Sequence, residues 1–375
     1  MYCIVTMSWG SGMFGQLGHG PDRLVCSEPT VIDRLMPQFV GGDVVSVHAG
    51  GMNSAVIVTS NVLAWKQRRR RRDQRVETQV FRFGSNKFQQ CAIGDVSGGT
   101  SSRDGSSSNV VVVPTPMVEV LHPETGEKVF FYDLALGRIH SVGVCANGEL
   151  YSWGFTPRCG HGGRGSSNTV KSALTSKSGT MAPRRIGTLR GIRIVQVVAG
   201  DAHTLALSDN GVLYSWGCGS DGQLGHGNEF DALIPKQILL LQFKRNDVSP
   251  TNNGMVTARI DDCTDLNSAE NPNRSIMIDA AGNYSAMVTQ SGDLFTWGSD
   301  ADGQLGHKPC GESDKYAQLK GNSIHDLQSF QFDSTPSVQI PRRVECLRDN
   351  DLEVKDLSLG MQFMLLLCNH RNVDP

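Results

Sequence analysis

The sequence predicts an all-β protein, a β-propeller of four-stranded blades, and three observations lead to this prediction. A short apolar run, then Trp-Gly, then a glycine-rich segment recurs along the chain, most clearly at Leu213–Gly227, Ser8–Gly20 and Leu294–His307. Short stretches rich in Val, Ile and Leu are bounded by Gly, Asn-Gly or Pro and lack sustained helical periodicity. Each end of the chain supplies half of a repeat. Such self-similarity is typical of a repeat architecture.

The best copy of the unit predicts four strands. They are Ile194–Ala199, His203–Ser208, Val212–Trp216 and Pro235–Leu240. Asp209-Asn210-Gly211 supplies the residues that a tight hairpin between the second and third strands requires. Eroded copies of the Trp-Gly string lie at Val80–Gly94 and Leu150–Gly162, which brings the recognisable units to five.

The ends of the chain predict how the ring closes. The chain begins with a third and a fourth strand, at Met7–Gly10 and Glu28–Ile32. It finishes with an extra first and second strand, at Glu353–Leu359 and Gln362–Leu367. Together these make one blade, so the sequence predicts a five-bladed ring in which the terminal strand pairs join and no open edge remains.

The sequence predicts a single domain over residues 1–375, with polar insertions in the loops between strands. Loops from the third to the fourth strand emerge on one face of such a ring, and loops from the second to the third emerge on the other. The insertions are polar and poor in aromatics, and specific function is expected in such loops because the ring is a scaffold. They span about 66–79, 96–109, 162–181, 242–274 and 307–338.

Composition excludes several classes of protein. The net charge of -2 argues against a broad nucleic-acid-binding face. The 10 cysteines are scattered singly, which is typical of reduced intracellular proteins. The first residues lack a basic segment and a long apolar core, so no secretion signal is predicted, and no run is long enough to span a membrane. The expected location is the cytoplasm, the nucleus or both.

Glycine, histidine and tryptophan recur at fixed places in the unit. Gly217–Gly222 fits the G-x-G-x-x-G pattern of dinucleotide loops, but no helix follows it, so these glycines are interpreted as turn residues. The repeated histidines are interpreted as structural. Cys159 and His161 are one residue apart but lack a second ligand pair, and neither a metal nor any other cofactor is predicted. A tryptophan ring that stacks a ligand is the alternative to tryptophans packed between blades, which is favoured here. The structural positions of the repeat are Trp9, Gly10, Gly15, Gly18, Trp153, Gly154, Trp216, Gly217, Gly222, Gly225, Trp297, Gly298, Gly303, Gly306 and His203.

One strong charge run stands apart from the repeat. Arg68, Arg69, Arg70, Arg71 and Arg72 form a basic patch that fits a nuclear import signal or a phosphate-binding segment, and equally a solvated loop without a partner. The run supports an alternative function, a chromatin- or nucleic-acid-associated nuclear protein. If this alternative holds, we expect deletion of the run to abolish nuclear retention or nucleic-acid binding.

The strings LYSWGCGSDGQLGHG and VVAGDAHTLALSDNG resemble the repeat of the regulator of chromosome condensation family. The resemblance runs from Met7 to about Leu367. It implies a propeller, usually of seven blades in the family against five units here. It also implies a protein partner, a small Ras-like GTPase, on which a propeller face acts as a guanine nucleotide exchange factor. No nucleophile motif, paired-carboxylate signature or P-loop is present, so the expected function is a non-catalytic interaction scaffold, at most an exchange factor.

Overall fold

Residues 5–67, 76–93, 109–162, 179–238, 274–307 and 337–371 are described by a computed structural model of the chain. They form antiparallel sheets, as the short β-branched runs predict. The strands are β1 Met7–Ser11, β2 Val25–Val31, β3 Asp43–Gly50, β4 Asn53–Thr59, β5 Gln79–Ser85, β6 Val110–Pro116, β7 Phe131–Leu136, β8 His140–Cys145, β9 Leu150–Phe155, β10 Gly179–Arg185, β11 Ile194–Ala199, β12 His203–Ser208, β13 Leu213–Gly217, β14 Ala232–Gln237, β15 Ser275–Ala281, β16 Tyr284–Thr289, β17 Leu294–Gly298, β18 Val338–Arg343, β19 Leu352–Leu359 and β20 Met364–His370.

Four sheets have four strands each, in the orders β3-β4-β5-β6, β7-β8-β9-β10, β11-β12-β13-β14 and β15-β16-β17-β18. Each is an up-and-down meander, the predicted blade. In the third blade, His203 pairs with Gly217 and Leu207 with Leu213, so the tight turn at Asn210-Gly211 sets the register. The described helices are short: α1 Pro37–Val40, α2 Val62–Gln67 and α3 Glu345–Asp349. The prediction of an all-β propeller with few helices is confirmed.

The first strands of successive blades lie side by side around a central channel. β3 contacts β7, β7 contacts β11, β11 contacts β15, and β15 contacts β19. The channel encloses about 490 Å³ and is lined by the last residues of these strands and the turns that follow them. Side chains join neighbouring first strands: the Gln196 amide donates to the Ile278 carbonyl at 2.9 Å and accepts from the Ile278 N–H at 3.1 Å.

The predicted closure of the ring is not found among the described strands. β1–β2 and β19–β20 form two separate two-stranded sheets instead of one blade. Each half-blade packs on its neighbour in sequence. Met364 and Leu366 of β20 lie against the cluster of Val288, Val354 and Leu357, for example. The count of strands shows that the halves are complementary, but it does not fix the angle between blades, and that angle decides whether the ends meet.

The predicted insertions fall mainly outside the described residues. Some of their ends carry regular structure. Helix α2 extends into the insertion 66–79, and β5 begins where that insertion ends. Strand β10 begins at Gly179, inside the insertion 162–181, and β18 begins at Val338, where the insertion 307–338 ends.

Candidate protein-binding surface

The glycine-rich loop that follows the third strand of a unit packs against the next blade. In the third blade this loop holds Gln223, whose carbonyl oxygen accepts a hydrogen bond from Trp297 Nε1 at 2.9 Å and another from the Ser285 hydroxyl at 3.0 Å. Both donors belong to the fourth blade, and Trp297 is completely buried. The tryptophan of one unit is therefore covered by the loop of the preceding unit.

The same joint occurs two units earlier, and one unit earlier the tryptophan is packed in the same way, although its indole nitrogen has no hydrogen-bond partner among the described residues. The Gln90 carbonyl accepts hydrogen bonds from Trp153 Nε1 at 2.8 Å and from the Ser141 hydroxyl at 3.0 Å. Trp216 lies against Gly160, where an added Cβ would come within 2.8 Å of the indole nitrogen. Trp153 and Trp216 are completely buried. The structure places these tryptophans between blades and leaves them no face on which a ligand could stack.

The repeated glycines make these joints sterically feasible. Gly217 has φ +110°, and a Cβ there would come within 2.4 Å of the Ala202 carbonyl oxygen. Gly225 has φ +73°, and a Cβ there would come within 3.0 Å of Trp297 Nε1. No helix follows Gly222, so the geometry of a dinucleotide loop is absent from this segment. The other predicted glycines also have positive φ angles: Gly10, Gly15, Gly18, Gly154, Gly222, Gly298, Gly303 and Gly306.

In four of the units, the histidine at the end of the loop binds a hydroxyl of its own third strand. Ser215 Oγ donates to the Leu224 carbonyl at 2.6 Å and lies 3.0 Å from His226 Nε2. Because the only hydroxyl proton goes to the carbonyl, the histidine must donate through Nε2. The same arrangement is repeated at Ser8–His19, Ser152–His161 and Thr296–His307.

A second set of histidines joins neighbouring blades. His203 Nε2 lies 2.9 Å from Ser285 Oγ, and His140 Nε2 lies 2.7 Å from Thr204 Oγ1. Burial lowers the pKa of His203 to about 3 and that of His140 to about 4. Both rings are therefore neutral at physiological pH. Among the described residues, no group of three or more His, Cys, Asp or Glu side chains is placed to hold a metal ion.

Trp9 departs from the expected packing. It is 60% exposed, although its unit carries the same Trp-Gly and loop sequence as the others. The cause is its position: no described loop from a preceding unit lies over it. Its own loop does engage the next blade, since the Gln16 carbonyl accepts a hydrogen bond from the Ser54 hydroxyl at 2.9 Å.

Arg82 is a residue that sequence reasoning missed. It occupies the place in β5 that Ser152, Ser215 and Thr296 hold in the other blades, and it is completely buried. Its Nη2 donates to Asn53 Oδ1 at 2.7 Å and to the Gln90 carbonyl at 2.8 Å in its own blade, and to Ser141 Oγ at 2.9 Å in the next, so it braces the joint between the first two complete blades. Burial lowers its pKa. In the sequence this change looked only like erosion of the repeat.

One face of the ring carries exposed apolar side chains. We call it the glycine-loop face: it is formed by the connections between first and second strands and between third and fourth strands. Phe230, in the loop between β13 and β14, is 78% exposed, and Phe363, in the turn between β19 and β20, is 67% exposed. Met13, Phe14 and Met361 lie in equivalent connections and are also exposed. Isolated exposed apolar residues are ordinary, but several on one face mark a surface suited to a protein partner.

Charged groups on this face are partly paired. Arg158 lies 2.6 Å from Asp231, and Arg138 lies 3.4 Å from Asp201. The basic run Arg68–Arg72 lies outside the described residues. In the described part of the chain, no helix is long and apolar enough to cross a membrane.

Comparisons with known proteins agree with the architecture. The regulator of chromosome condensation (RCC1) repeat matches residues 8–57, 147–207, 210–249 and 291–367, which is more than half of the chain. The chain belongs to the RCC1 repeat family. A second model of the same repeat matches residues 194–223, the unit in which the motif is clearest.

Relatives with this repeat differ widely in size. The chain is 28% identical over 303 residues to the ultraviolet-B receptor UVR8 of Arabidopsis thaliana, covering 81% of this chain and 51% of the receptor. It is 27% identical over 301 residues to the E3 ubiquitin-protein ligase HERC2 of Mus musculus, covering 80% of this chain and 5% of the ligase. The crystal structure of human WBSCR16 superposes with a TM-score of 0.60 at 19% identity, covering 97% of this chain and 72% of that one, which supports the propeller fold.

Proposed function

We propose that this chain is a non-catalytic scaffold that binds a protein partner through its glycine-loop face. We further propose that the partner is a small Ras-like GTPase whose nucleotide exchange the ring regulates. The observation that carries the proposal is the set of exposed apolar side chains on that face, Phe230 of a complete blade foremost. Membership of the RCC1 repeat family supports the choice of partner.

The rigidity of the joints between blades supports this function. The loop that presents Phe230 is fixed at its base, because Gly219 N–H donates to Asp231 Oδ1 at 3.0 Å and Gln223 is bonded to the next blade. A preorganised apolar side chain loses little conformational entropy on binding, so it is well suited to act as an anchor residue. Exchange needs no nucleophile or general base from the scaffold, since a rigid face that fits the nucleotide-free GTPase favours nucleotide release.

The test is release of a fluorescent guanine nucleotide from a panel of small GTPases in the presence of catalytic amounts of the chain. We expect acceleration with at least one GTPase, and we expect Phe230→Ser to reduce the acceleration at least tenfold. Phe39→Ser is the matched control, because Phe39 is 66% exposed but lies at the opposite end of the blades. Its substitution should leave the rate unchanged.

The possible outcomes separate the two parts of the proposal. A folded protein that binds a nucleotide-free GTPase without accelerating release is a scaffold but not an exchange factor. A folded protein that neither binds nor accelerates any member of the panel refutes the assignment of a GTPase partner. Equal losses in Phe230→Ser and Phe39→Ser would show that the glycine-loop face is not the binding surface.

A further inference from the structure

A cavity of about 400 Å³ lies at the opposite end of the blades from the glycine-loop face. It is enclosed by the segment that leads from β6 into β7, by the hairpin between β8 and β9, and by the start of β11. Its apolar walls include Phe130, Tyr132 and Tyr151, and its polar lining includes Lys128, Glu149 and Arg193. A volume of this size is in the range of roughly 300–1,000 Å³ that small-molecule sites occupy.

Tyr151, which lines the cavity, has a buried hydroxyl without a partner among the described residues. Tyr151 is 1% exposed, and its ring is held edge-on against Phe131, with centroids 5.8 Å apart. Its hydroxyl makes no hydrogen bond within the described part of the chain. Neighbouring Tyr132 differs, since its hydroxyl accepts the Val76 N–H at 2.6 Å. Burial of an unpaired hydroxyl is unfavourable, so a group that bonds to it from the cavity is stabilising.

The wall of the cavity holds a cation that has no partner among the described residues. Arg193 lines the cavity and is half-buried, and no hydrogen bond or ion pair of its guanidinium occurs within the described residues. Its counterpart one unit later, Arg274, donates to the Asp209 carbonyl instead. The arrangement at Arg193 is therefore not a general property of the repeat.

The nearest carboxylate in the cavity is already neutralised. Glu149 accepts from Arg185 Nη1 at 3.0 Å and from Asn147 Nδ2 at 2.9 Å, and it lies 3.3 Å from His122 Nε2. Lys128 lies 3.1 Å from Glu119. Glu127 also lines the cavity, and because Glu149 and Lys128 are already paired, Arg193 is the cation of the described lining that can face an anion, which disfavours a doubly charged one such as a phosphate monoester. A single carboxylate fits the balance of charge better.

We propose that this cavity binds a carboxylate carried on an aromatic or aliphatic body. Arg193 pairs with the carboxylate, the Tyr151 hydroxyl donates to it, and the rings of Phe130 and Tyr132 contact the apolar body. Planar guanidinium groups recognise carboxylates with two parallel hydrogen bonds, which explains why arginine suits this position. The carboxylate belongs either to a small organic acid or to the C-terminus of a peptide that ends in an aromatic residue.

The test is calorimetric titration of the full chain with 3-phenylpropionate and with 3-phenylpropionamide, which differs in having no charge. We expect the acid to bind at least tenfold more tightly than the amide. Arg193→Gln should weaken binding of the acid at least tenfold, and Tyr151→Phe should weaken it severalfold. The matched controls are Arg274→Gln and Tyr214→Phe, which change the same repeat positions in other units and should leave the affinity unaltered.

Two results would overturn the proposal: absence of binding by either probe, or equal affinity for acid and amide. Loss of binding in the control variants equal to that in Arg193→Gln would do the same. Tyr151→Phe retains the packed ring and removes an unpaired hydroxyl, so it should fold without loss of thermal stability. It therefore decides the question if Arg193→Gln does not fold.

The source of the carboxylate is resolved by one further pair of probes. These are an acetylated peptide ending in phenylalanine with a free C-terminus and the same peptide with a C-terminal amide. Tighter binding by the free-terminus peptide than by 3-phenylpropionate identifies a peptide terminus as the ligand. Binding by 3-phenylpropionate alone identifies a small organic acid.

Discussion

The complete blades and the terminal half-blades contain the same motif in different surroundings. Trp216 and Trp297 are completely buried, whereas Trp9 is 60% exposed. Tyr284 and Val288 of β16 are completely buried, whereas Phe363 and Leu367 at the same places in the last half-blade are 67% and 62% exposed. The side chains are similar in size and polarity, so the difference in exposure arises from whether a neighbouring blade packs against them.

This comparison shows that the motif residues are buried by contacts between neighbouring blades and not by the fold of a single blade. A unit supplies a loop that covers the next unit and a tryptophan that the preceding unit covers. Stability in such arrays is approximately a sum over units and their interfaces with nearest neighbours. Substitutions at equivalent positions should therefore have unequal effects in the interior and at the ends.

The largest difference in stability loss between an interior and a terminal unit is expected for substitution of the tryptophans. Trp297→Ala removes a buried ring and its bond to Gln223, and it should lower the free energy of unfolding by about 3–5 kcal/mol. Trp9→Ala should change it by less than about 1 kcal/mol, since most of that side chain is already in solvent. The midpoint of urea unfolding measures both. Equal effects would mean that Trp9 is covered in solution.

A smaller difference is expected at the glycines that follow these tryptophans. Gly217→Ala brings Cβ within 2.4 Å of a carbonyl oxygen at a positive φ, and it should cost about 3 kcal/mol or more. Gly10→Ala shares the positive φ but has no atom within 4 Å, so the backbone strain of about 1 kcal/mol is its whole cost. Thermal unfolding of the two variants tests this. A tolerated Gly217→Ala would show that the turn can open.

Acid should weaken the interior joints. The pKa of His203 in the folded protein, about 3, is below its value in the unfolded chain, about 6.5. The unfolded chain therefore binds the proton first, so this contribution is complete above about pH 6.5 and is lost as the pH falls toward the folded value. Each pH unit costs up to about 1.4 kcal/mol for each such histidine.

Urea midpoints measured between pH 7.5 and 4.5 test this expectation. His203→Gln keeps a donor for Ser285 and removes the titration, so it should flatten the pH dependence by about one proton. An unchanged slope in this variant would show that His203 does not titrate in the unfolding reaction.

The smallest effect is expected on the outer side of β20. Leu367→Thr should alter stability by no more than about 0.5 kcal/mol because the side chain is exposed, and it should reduce self-association through the open edge. Val288→Thr places a hydroxyl in the core at the equivalent position and should cost about 1–3 kcal/mol. Light scattering and urea unfolding measure the two properties. Strong destabilisation by Leu367→Thr would show that another part of the chain covers this strand.

The sequence predicted regular strands better than the relations between them. The strands Ile194–Ala199 and His203–Ser208 lie at their predicted bounds, because a tight turn and apolar runs define them locally. The fourth strand was predicted at Pro235–Leu240 but lies at Ala232–Gln237. Proline is tolerated inside an outer edge strand, so it did not mark the start of the strand.

Other features depend on contacts that a local pattern does not contain. Ring closure depends on the angle between blades, and the exposure of Trp9 depends on the preceding neighbour. Arg82 braces a joint with a group unlike the hydroxyls it replaces, so the repeat gave no signal for it. The cavity beside Tyr151 is lined largely by the connection between two units, and the repeat motif does not include that connection.

The direction of the joints has a consequence for synthesis on the ribosome. The loop containing Gln223 precedes the tryptophan it covers, Trp297, by one unit along the chain. Chains emerge from the N-terminus and fold as they appear. Each new tryptophan therefore meets a covering loop that has already been made, so its aromatic surface need not wait for later residues to be shielded from water.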